Sequence, residues 1–107
     1  MDLIREEKNG RIFLKIEGAM SIYDAVVLRD ELATCFEKHK GLVLDLGEVS
    51  DCDTAGVQLV CSAQVSAAAA DKSFVVSGTS PAVSDAFLRT GLNIEDFQNL
   101  EKEKSNG

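Results

Sequence analysis

An alternation of hydrophobic and polar residues marks the first secondary-structure element that can be recognised in the chain. Every second residue in this stretch is aliphatic, at Ile12, Leu14 and Ile16. Such a period of two is typical of a strand that turns one face toward a core. Asn9-Gly10 separates residues 11–17 from residues 3–8, and this dipeptide favours the positive φ angles of a tight turn. The pattern predicts an antiparallel β-hairpin.

A helical period of hydrophobic residues follows over residues 22–39. Its apolar stripe consists of Leu28, Leu32, Cys35 and Phe36. Ser21 and Asp24 have the spacing of a capping box at the start of a helix. Gly41 is expected to end this first helix before the next strand begins.

Two mainly apolar runs, residues 42–46 and 73–77, have the composition of buried strands. Between them no residue from Thr54 to Ala70 is charged, although 27% of the whole chain is charged. A second helix is predicted here. Because it has no charged face, it is either hidden in the core or offered to a partner.

A third helix is predicted after Ser80, since serine is a favoured N-cap and Pro81 suits the first helical position. The residues expected to face the core are Val83, Ala86 and Phe87. Asp85 and Arg89 are expected to form an exposed pair four residues apart, and Gly91 to end the helix.

The elements follow the order β-β-α-β-α-β-α, and residues 94–97 are predicted to add a short edge strand. This order indicates an α/β fold, with a mixed β-sheet of about four to five strands and three to four helices on one side. A chain of 107 residues that is 45% hydrophobic suits one such domain. We expect the domain to span residues 1–98 and a polar tail to follow at 99–107.

The net charge of −7 narrows the range of partners. It disfavours both nucleic acid and anionic membrane surfaces, because each is bound through lysine and arginine. The uncharged helix is diluted by polar residues and alanine, so no membrane insertion is expected. Three cysteines without metal-type spacing favour reduced thiols and a cytoplasmic protein. The first residues lack the basic and then apolar order of a secretion signal.

The carboxylates of Asp45, Asp51 and Asp53 offer oxygen ligands of the kind that a divalent cation prefers. Asp51 and Asp53 match the first and third positions of an EF-hand loop. Ser62, however, stands where the bidentate glutamate of that loop is needed. No metal or cofactor is therefore expected.

Enzymatic chemistry also lacks its usual residues. A phosphoaspartyl enzyme of the dehalogenase type needs Asp-x-Asp-x-Thr, and residues 51–54 place the threonine one position early. Nucleophilic catalysis by Thr54 would require a base, and the only histidine, His39, is predicted near the end of a helix. The phosphate-binding glycine motifs Gly-x-x-x-x-Gly-Lys and Gly-x-Gly-x-x-Gly are missing as well. The sequence predicts that the chain is not an enzyme.

Asp53 and Thr54 stand at the start of the uncharged helix, where two roles are compatible. Either side chain can cap the helix by accepting a backbone N–H, an interaction that contributes about 1 kcal/mol. The same free N–H groups and the positive end of the helix dipole also favour a phosphate. A phosphate on Thr54 would add roughly −1.5 to −2 charges beside the aspartates.

Several segments in the same order resemble one known family. They are residues 18–23 (Gly-Ala-Met-Ser-Ile-Tyr), 28–32 (Leu-Arg-Asp-Glu-Leu), 43–49 (Val-Leu-Asp-Leu-Gly-Glu-Val), 53–57 (Asp-Thr-Ala-Gly-Val), 80–83 (Ser-Pro-Ala-Val) and 90–92 (Thr-Gly-Leu). Together they span nearly the whole chain and resemble the STAS domains, named for sulfate transporters and anti-sigma-factor antagonists.

The resemblance implies which residues form a site. In antagonists of this family, a partner kinase phosphorylates the hydroxyl residue that follows the turn aspartate, and the unphosphorylated form binds the kinase or another regulator. Thr54 is then the phosphoacceptor, although many antagonists have serine there. The residues implied to line the site are Asp53, Asp45, Ser21 and Gly56. Those implied to contact the partner are Val57, Gln58 and Cys61.

Two functions follow from the resemblance. The first is a bacterial signalling regulator, switched by phosphorylation at Thr54, whose partner is an ATP-binding kinase, an anti-sigma factor or a chemosensory kinase. The pattern is similar to single-domain STAS proteins of chemosensory systems. The second is a constitutive subunit of a phospholipid-transport ABC complex or a chemosensory array, in which Thr54 only caps its helix and contacts the partner.

Overall fold

The computed structural model describes residues 1–98, and the polar tail expected at 99–107 lies outside the described residues. The elements are β1 (Asp2–Lys8), β2 (Arg11–Met20), α1 (Ile22–Lys38), β3 (Gly41–Cys52), α2 (Thr54–Ala69), β4 (Ser73–Thr79), α3 (Pro81–Arg89) and a short 3₁₀ helix (Ile94–Phe97). The predicted α/β fold and its order β-β-α-β-α-β-α are confirmed.

The sheet has the strand order β1-β2-β3-β4. β1 and β2 form the predicted antiparallel hairpin, and Asn9 and Gly10 take positive φ angles of 55° and 80° at its turn. β2, β3 and β4 are parallel neighbours. Their crossover connections are helical, so α1 and α2 both start from the carboxyl ends of parallel strands.

The core lies between the helices and one face of the sheet. Its fully buried members from β2 and β3 include Leu14, Ile16, Leu42, Leu44 and Leu46. The helices contribute the predicted buried stripe of α1 and the predicted inward residues of α3, here Leu28, Leu32, Cys35, Phe36, Val83, Ala86 and Phe87. In β4 only Val76 is buried, which corrects the expectation of a fully buried strand. The reason is that β4 is the last strand of the sheet.

The capping box of α1 forms as expected. The Ser21 hydroxyl oxygen accepts the Asp24 backbone N–H at 3.3 Å, and the Asp24 carboxylate accepts the Ser21 backbone N–H at 3.0 Å. Hydrogen bonds from the Ser21 backbone and side chain lower the pKa of the Asp24 carboxyl. The start of α1 is thus fixed locally by two residues.

Gly41 does not end α1, which stops at Lys38; it is the first residue of β3. A Cβ atom on Gly41 would meet the Ser73 side chain and would lie 3.1 Å from the Ser73 carbonyl oxygen. The absence of a side chain therefore lets the starts of β3 and β4 approach each other. Residue spacing along the chain does not reveal this contact.

Three further expectations are corrected. The strand predicted at residues 42–46 is longer in the structure, because β3 continues to Cys52 and includes Asp51. Residues 94–97 form a 3₁₀ helix instead of an edge strand, because Ile94 and Phe97, three residues apart, are both buried on its inner side. Gly91 ends α3 as predicted, with φ of 81°. The ion pairs found within residues 1–98 do not include the expected pair of Asp85 with Arg89.

Within residues 1–98, no helix is both long enough and apolar enough to cross a membrane.

Candidate functional site

The starts of α1 and α2 lie side by side. Met20 and Cys52 are partners in the ladder between β2 and β3. The residues that follow them, Ser21 and Asp53, are the N-caps of the two helices. Because neighbouring strands lie about 4.8 Å apart, two positive helix ends meet at this edge of the sheet.

Asp53 caps α2 and leaves Thr54 free. An Asp53 carboxylate oxygen accepts the Ala55 backbone N–H at 2.9 Å. Thr54 is the first residue of the helix, its side chain is exposed, and its hydroxyl makes no hydrogen bond within the described part of the chain. Of the two residues that were able to cap the helix, aspartate does so, and the hydroxyl is left facing solvent.

Gly56 lies below this surface, in the first turn of α2, and is buried. A Cβ atom on Gly56 would lie 2.6 Å from both Cys52 Sγ and Met20 Cε, which is closer than carbon atoms pack. Gly56 thus allows α2 to sit on the ends of β2 and β3. Its contribution to the site is to position Asp53 and Thr54.

The three residues expected to contact a partner have different exposures. Val57 is 2% exposed and packs in the core, so its side chain is not on the surface. Gln58 is exposed, and Cys61 is partly buried. The surface that α2 offers near Thr54 is therefore centred on Gln58.

Asp45 lies on the other side of the sheet. It lines a shallow groove of about 230 Å³ on the open face with Phe13, Lys15 and Ser77, among others. Its carboxylate accepts the Gly47 backbone N–H at 2.9 Å. Cys52 lies seven positions further along β3, and their partners in β2, Lys15 and Met20, are five positions apart, which is roughly 17 Å of strand. The structure therefore does not bring Asp45 to Thr54, and no group of three potential metal ligands occurs within residues 1–98.

An exposed apolar surface on α1, which the sequence pattern did not single out, lies beside the site. It consists of Ile22, Tyr23, Val26 and Val27, which are 58%, 82%, 52% and 60% exposed. These residues fall outside the buried stripe of α1, and that mismatch is the signal that the sequence offered. Monomeric proteins rarely group large apolar side chains in this way unless something covers them.

A groove of about 280 Å³ separates this surface from α2. We name it the α1–α2 groove; it is lined by Ile22, Ala25, Val26, Arg29, Ala55, Gln58, Leu59 and Ser62. Ala55 is the residue after Thr54. Thr54 is therefore adjacent in the chain to one end of a groove that is apolar apart from Gln58, Ser62 and Arg29.

The carboxylates near Thr54 also act on the thiol of Cys52. Burial, followed by the negative charges of Asp53 and Asp51, raises the pKa of this thiol to about 11, while Arg89 lowers it slightly. The thiol therefore stays protonated at neutral pH. A reactive thiolate is not part of this site.

We expect this shift to appear in the pH dependence of stability. Above pH 9 the unfolded chain loses the Cys52 proton and the folded chain keeps it, so the free energy of unfolding falls as pH rises toward about 11. Urea unfolding at pH 8 and pH 10.5 should show a smaller loss in Cys52→Ala than in the wild type. Equal losses in the two proteins would contradict the shift.

Comparison with known proteins supports the fold and the family. A family model described as "Mlab, STAS domain" matches residues 4–100. The unphosphorylated form of the anti-sigma factor antagonist SpoIIAA superimposes with a TM-score of 0.75 at 16% identity, covering 91% of this chain and 85% of that one. The phosphorylated form of the Bacillus cell fate determinant SpoIIAA gives 0.69 at 14% identity, with 98% of each chain covered. No curated protein sequence matches the chain significantly.

Proposed function

The chain belongs to the STAS domain family, and from this premise we propose that it is a non-enzymatic regulator that binds a signalling protein through the start of α2. In this proposal Thr54 is phosphorylated by a partner kinase, which brings its own ATP. The unphosphorylated form binds the partner, and both act in the cytoplasm.

The observation that carries the proposal is the state of the Thr54 hydroxyl. It is exposed, it makes no hydrogen bond within residues 1–98, and it stands at the positive end of a sixteen-residue helix. A kinase can reach such a hydroxyl without unfolding the helix. Asp53 already accepts the Ala55 N–H, so the hydroxyl can be modified while the cap remains.

The charges around Thr54 determine how a phosphate on its hydroxyl changes partner binding. The helix start tolerates the added group, because the dipole favours an anion there. Asp51 and Asp53 are exposed beside it, and a dianion next to carboxylates disfavours an interface through repulsion and desolvation. We therefore propose that phosphorylation leaves the fold intact and weakens partner binding.

The other residues have supporting roles in this proposal. Ser21 lines the site from the neighbouring helix start, and Asp53 orients the helix end that carries the hydroxyl. Gln58 and the exposed part of Cys61 contact the partner, one and two turns further along α2. Gly56 acts from below by packing.

Thr54→Glu is expected to weaken partner binding by at least about tenfold relative to Thr54→Ala, because the carboxylate imitates part of the phosphate charge. Binding would be measured by isothermal titration calorimetry with the partner identified by co-purification. Mass spectrometry of the protein from cells should find phosphate on Thr54.

Gln64→Glu provides the matched control, since it adds one negative charge to an exposed position of the same helix away from its start. It should bind as the wild type does. Unmodified Thr54 in cells, together with equal binding by Thr54→Glu and Thr54→Ala, would refute the switch.

A second candidate function is a constitutive subunit of a larger complex, such as a phospholipid transporter or a chemosensory array. The observation that favours it is the exposed apolar surface on α1, because permanent interfaces are more hydrophobic than transient ones. In this case the complex would co-purify in fixed stoichiometry, and the modification state of Thr54 would not change it.

A further inference from the structure

The α1–α2 groove is longer than the part that lies next to Thr54. A second depression, of about 110 Å³, continues it and is lined by Arg29, Leu32, Ala33, Phe36, Leu59, Ser62, Ala63 and Ser66. Three of these residues, Arg29, Leu59 and Ser62, also line the first depression. The combined groove runs from Ile22 to Phe36 on α1 and from Ala55 to Ser66 on α2, and the eleven steps along α2 correspond to about 17 Å at the rise of an α-helix. Its length matches about three helical turns.

The two walls of the groove differ in size. On the α2 side, the outward residues are small or neutral, at Ala55, Gln58, Ser62 and Ser66. On the α1 side, Ile22 and Val26 stand up from the surface, while Leu59 forms the floor and is only 5% exposed. The α2 side carries small side chains, and the α1 side carries protruding apolar ones. A helix from another protein can therefore pack close to α2 and bury Ile22 and Val26.

The need for an occupant follows from the distribution of apolar surface. Among residues 1–98, nine large hydrophobic residues are exposed, and four of them lie in the first two turns of α1. Ile22 and Val26 line one end of the groove, and Tyr23 and Val27 follow them directly in the chain, so the four are not scattered over the surface. An extended peptide would find no strand edge there to satisfy its backbone, whereas a helix satisfies its own.

The charge in the groove indicates which kind of partner helix would bind there. Arg29 is the only charged residue in either wall, and it stands where the two depressions meet. It is exposed and forms no ion pair with any residue of the described part of the chain. A guanidinium at the centre of an otherwise uncharged groove is suited to a carboxylate, which it can bind through two hydrogen bonds.

Resting on the proposed function, we infer that the α1–α2 groove binds an amphipathic helix of the partner whose apolar face carries one central acidic residue opposite Arg29. The same occupant accounts for the position of Thr54. A phosphate on Thr54 would lie toward the end of the bound helix, where it would meet the apolar face of that helix, and the desolvation of the dianion would oppose binding. The α1–α2 groove and the phosphorylation site at Thr54 then belong to one interface.

The probe is a synthetic amphipathic peptide of about 15 residues, with leucines along one helical face and a central glutamate on that face. A second peptide has lysine in place of the glutamate. Fluorescence anisotropy should show that the wild-type protein binds the glutamate peptide at least about tenfold more tightly than the lysine peptide. Arg29→Glu should reverse this preference.

Two matched substitutions test the apolar wall. Val26→Asp should weaken binding of the preferred peptide at least about tenfold, while Val65→Asp should leave it unchanged, because Val65 is 69% exposed but lies outside the groove. Circular dichroism would establish that both variants are folded.

The groove proposal is overturned if the wild type binds neither peptide at about 1 mM, if Arg29→Glu does not reverse the preference, or if Val26→Asp and Val65→Asp bind alike. Each of these results would leave the Thr54 switch standing, since that switch is measured with the cellular partner and Thr54 variants. The converse result is that the peptide still binds in the groove while Thr54→Glu and Thr54→Ala bind the cellular partner equally. That result would refute only the switch.

Discussion

Replacing Phe87 by alanine is expected to destabilise the domain by about 3 to 5 kcal/mol, the range found when a buried phenylalanine is removed from a core. Phe87 is 1% exposed, and its ring packs edge-on against Phe97 with 5.5 Å between the ring centroids. The substitution would leave a cavity between α3 and the 3₁₀ helix. Urea unfolding followed by circular dichroism at 222 nm measures the loss.

Leu88→Ala is the control, since Leu88 is the next residue of the same helix and is 70% exposed. Its effect on the free energy of unfolding should stay within about 0.5 kcal/mol. If Phe87→Ala and Leu88→Ala were equally stable, the assignment of the inner face of α3 would be incorrect.

The elements that the sequence predicts well are those fixed by neighbouring residues. Asn9-Gly10 specifies its turn through backbone angles that few other residues adopt. Ser21 with Asp24, and Ser80 with Pro81, specify helix starts because the cap and the first turn are only three residues apart. The regular periods between these signals then determine which face of each strand or helix is buried.

The errors concern residues whose conformation depends on distant neighbours. Gly41 resembles a helix stop in the sequence, and only its contact with Ser73 assigns it to a strand. Residues 94–97 include the branched and aromatic residues of a strand, yet burial of Phe97 against Phe87 requires a helical turn. Neither contact can be inferred from the local pattern.

The residues of the candidate site can likewise be predicted from the sequence only in part. The hydroxyl at the start of α2 follows from the order Asp53-Thr54 and from the rules of capping, which act over a few residues. The resemblance alone implies a partner contact for Val57, and because α2 has no charged residue, its sequence does not distinguish a buried face from an exposed one. Asp45 also enters the site through the resemblance alone, and the sequence does not reveal that β3 continues to Cys52 and separates Asp45 from the start of α2.

The exposed apolar surface of α1 is not apparent from the helical periodicity of the sequence. The stripe through Leu28 and Leu32 accounts for the core, and once it is assigned the remaining apolar residues are easily overlooked. Ile22 and Val26 lie one turn apart on a different face, toward α2. Apolar residues that a helical stripe does not explain are therefore the ones to examine for a partner.

Gly56→Val is expected to destabilise the domain by about 3 kcal/mol, the upper part of the usual range for overpacking. The new side chain would collide with Cys52 Sγ and Met20 Cε, each 2.6 Å from the position of the Cβ atom. Met20 is flexible enough to move, but Cys52 is only 6% exposed and its thiol donates to the Asp53 carbonyl oxygen at 3.5 Å. Relief would thus require α2 to shift away from the sheet and to carry Asp53 and Thr54 with it.

Ser62→Val separates this collision from the preference of valine for other backbone conformations, because serine and valine have similar helix propensities and Ser62 is exposed on the same helix. Its effect on urea unfolding should stay within about 0.5 kcal/mol. If Gly56→Val were as stable as Ser62→Val, α2 would tolerate a wider separation from the strand ends, and Gly56 would have to act at the surface. A destabilised Gly56→Val protein would instead establish that the position of Thr54 depends on the contact of Gly56 with the ends of β2 and β3.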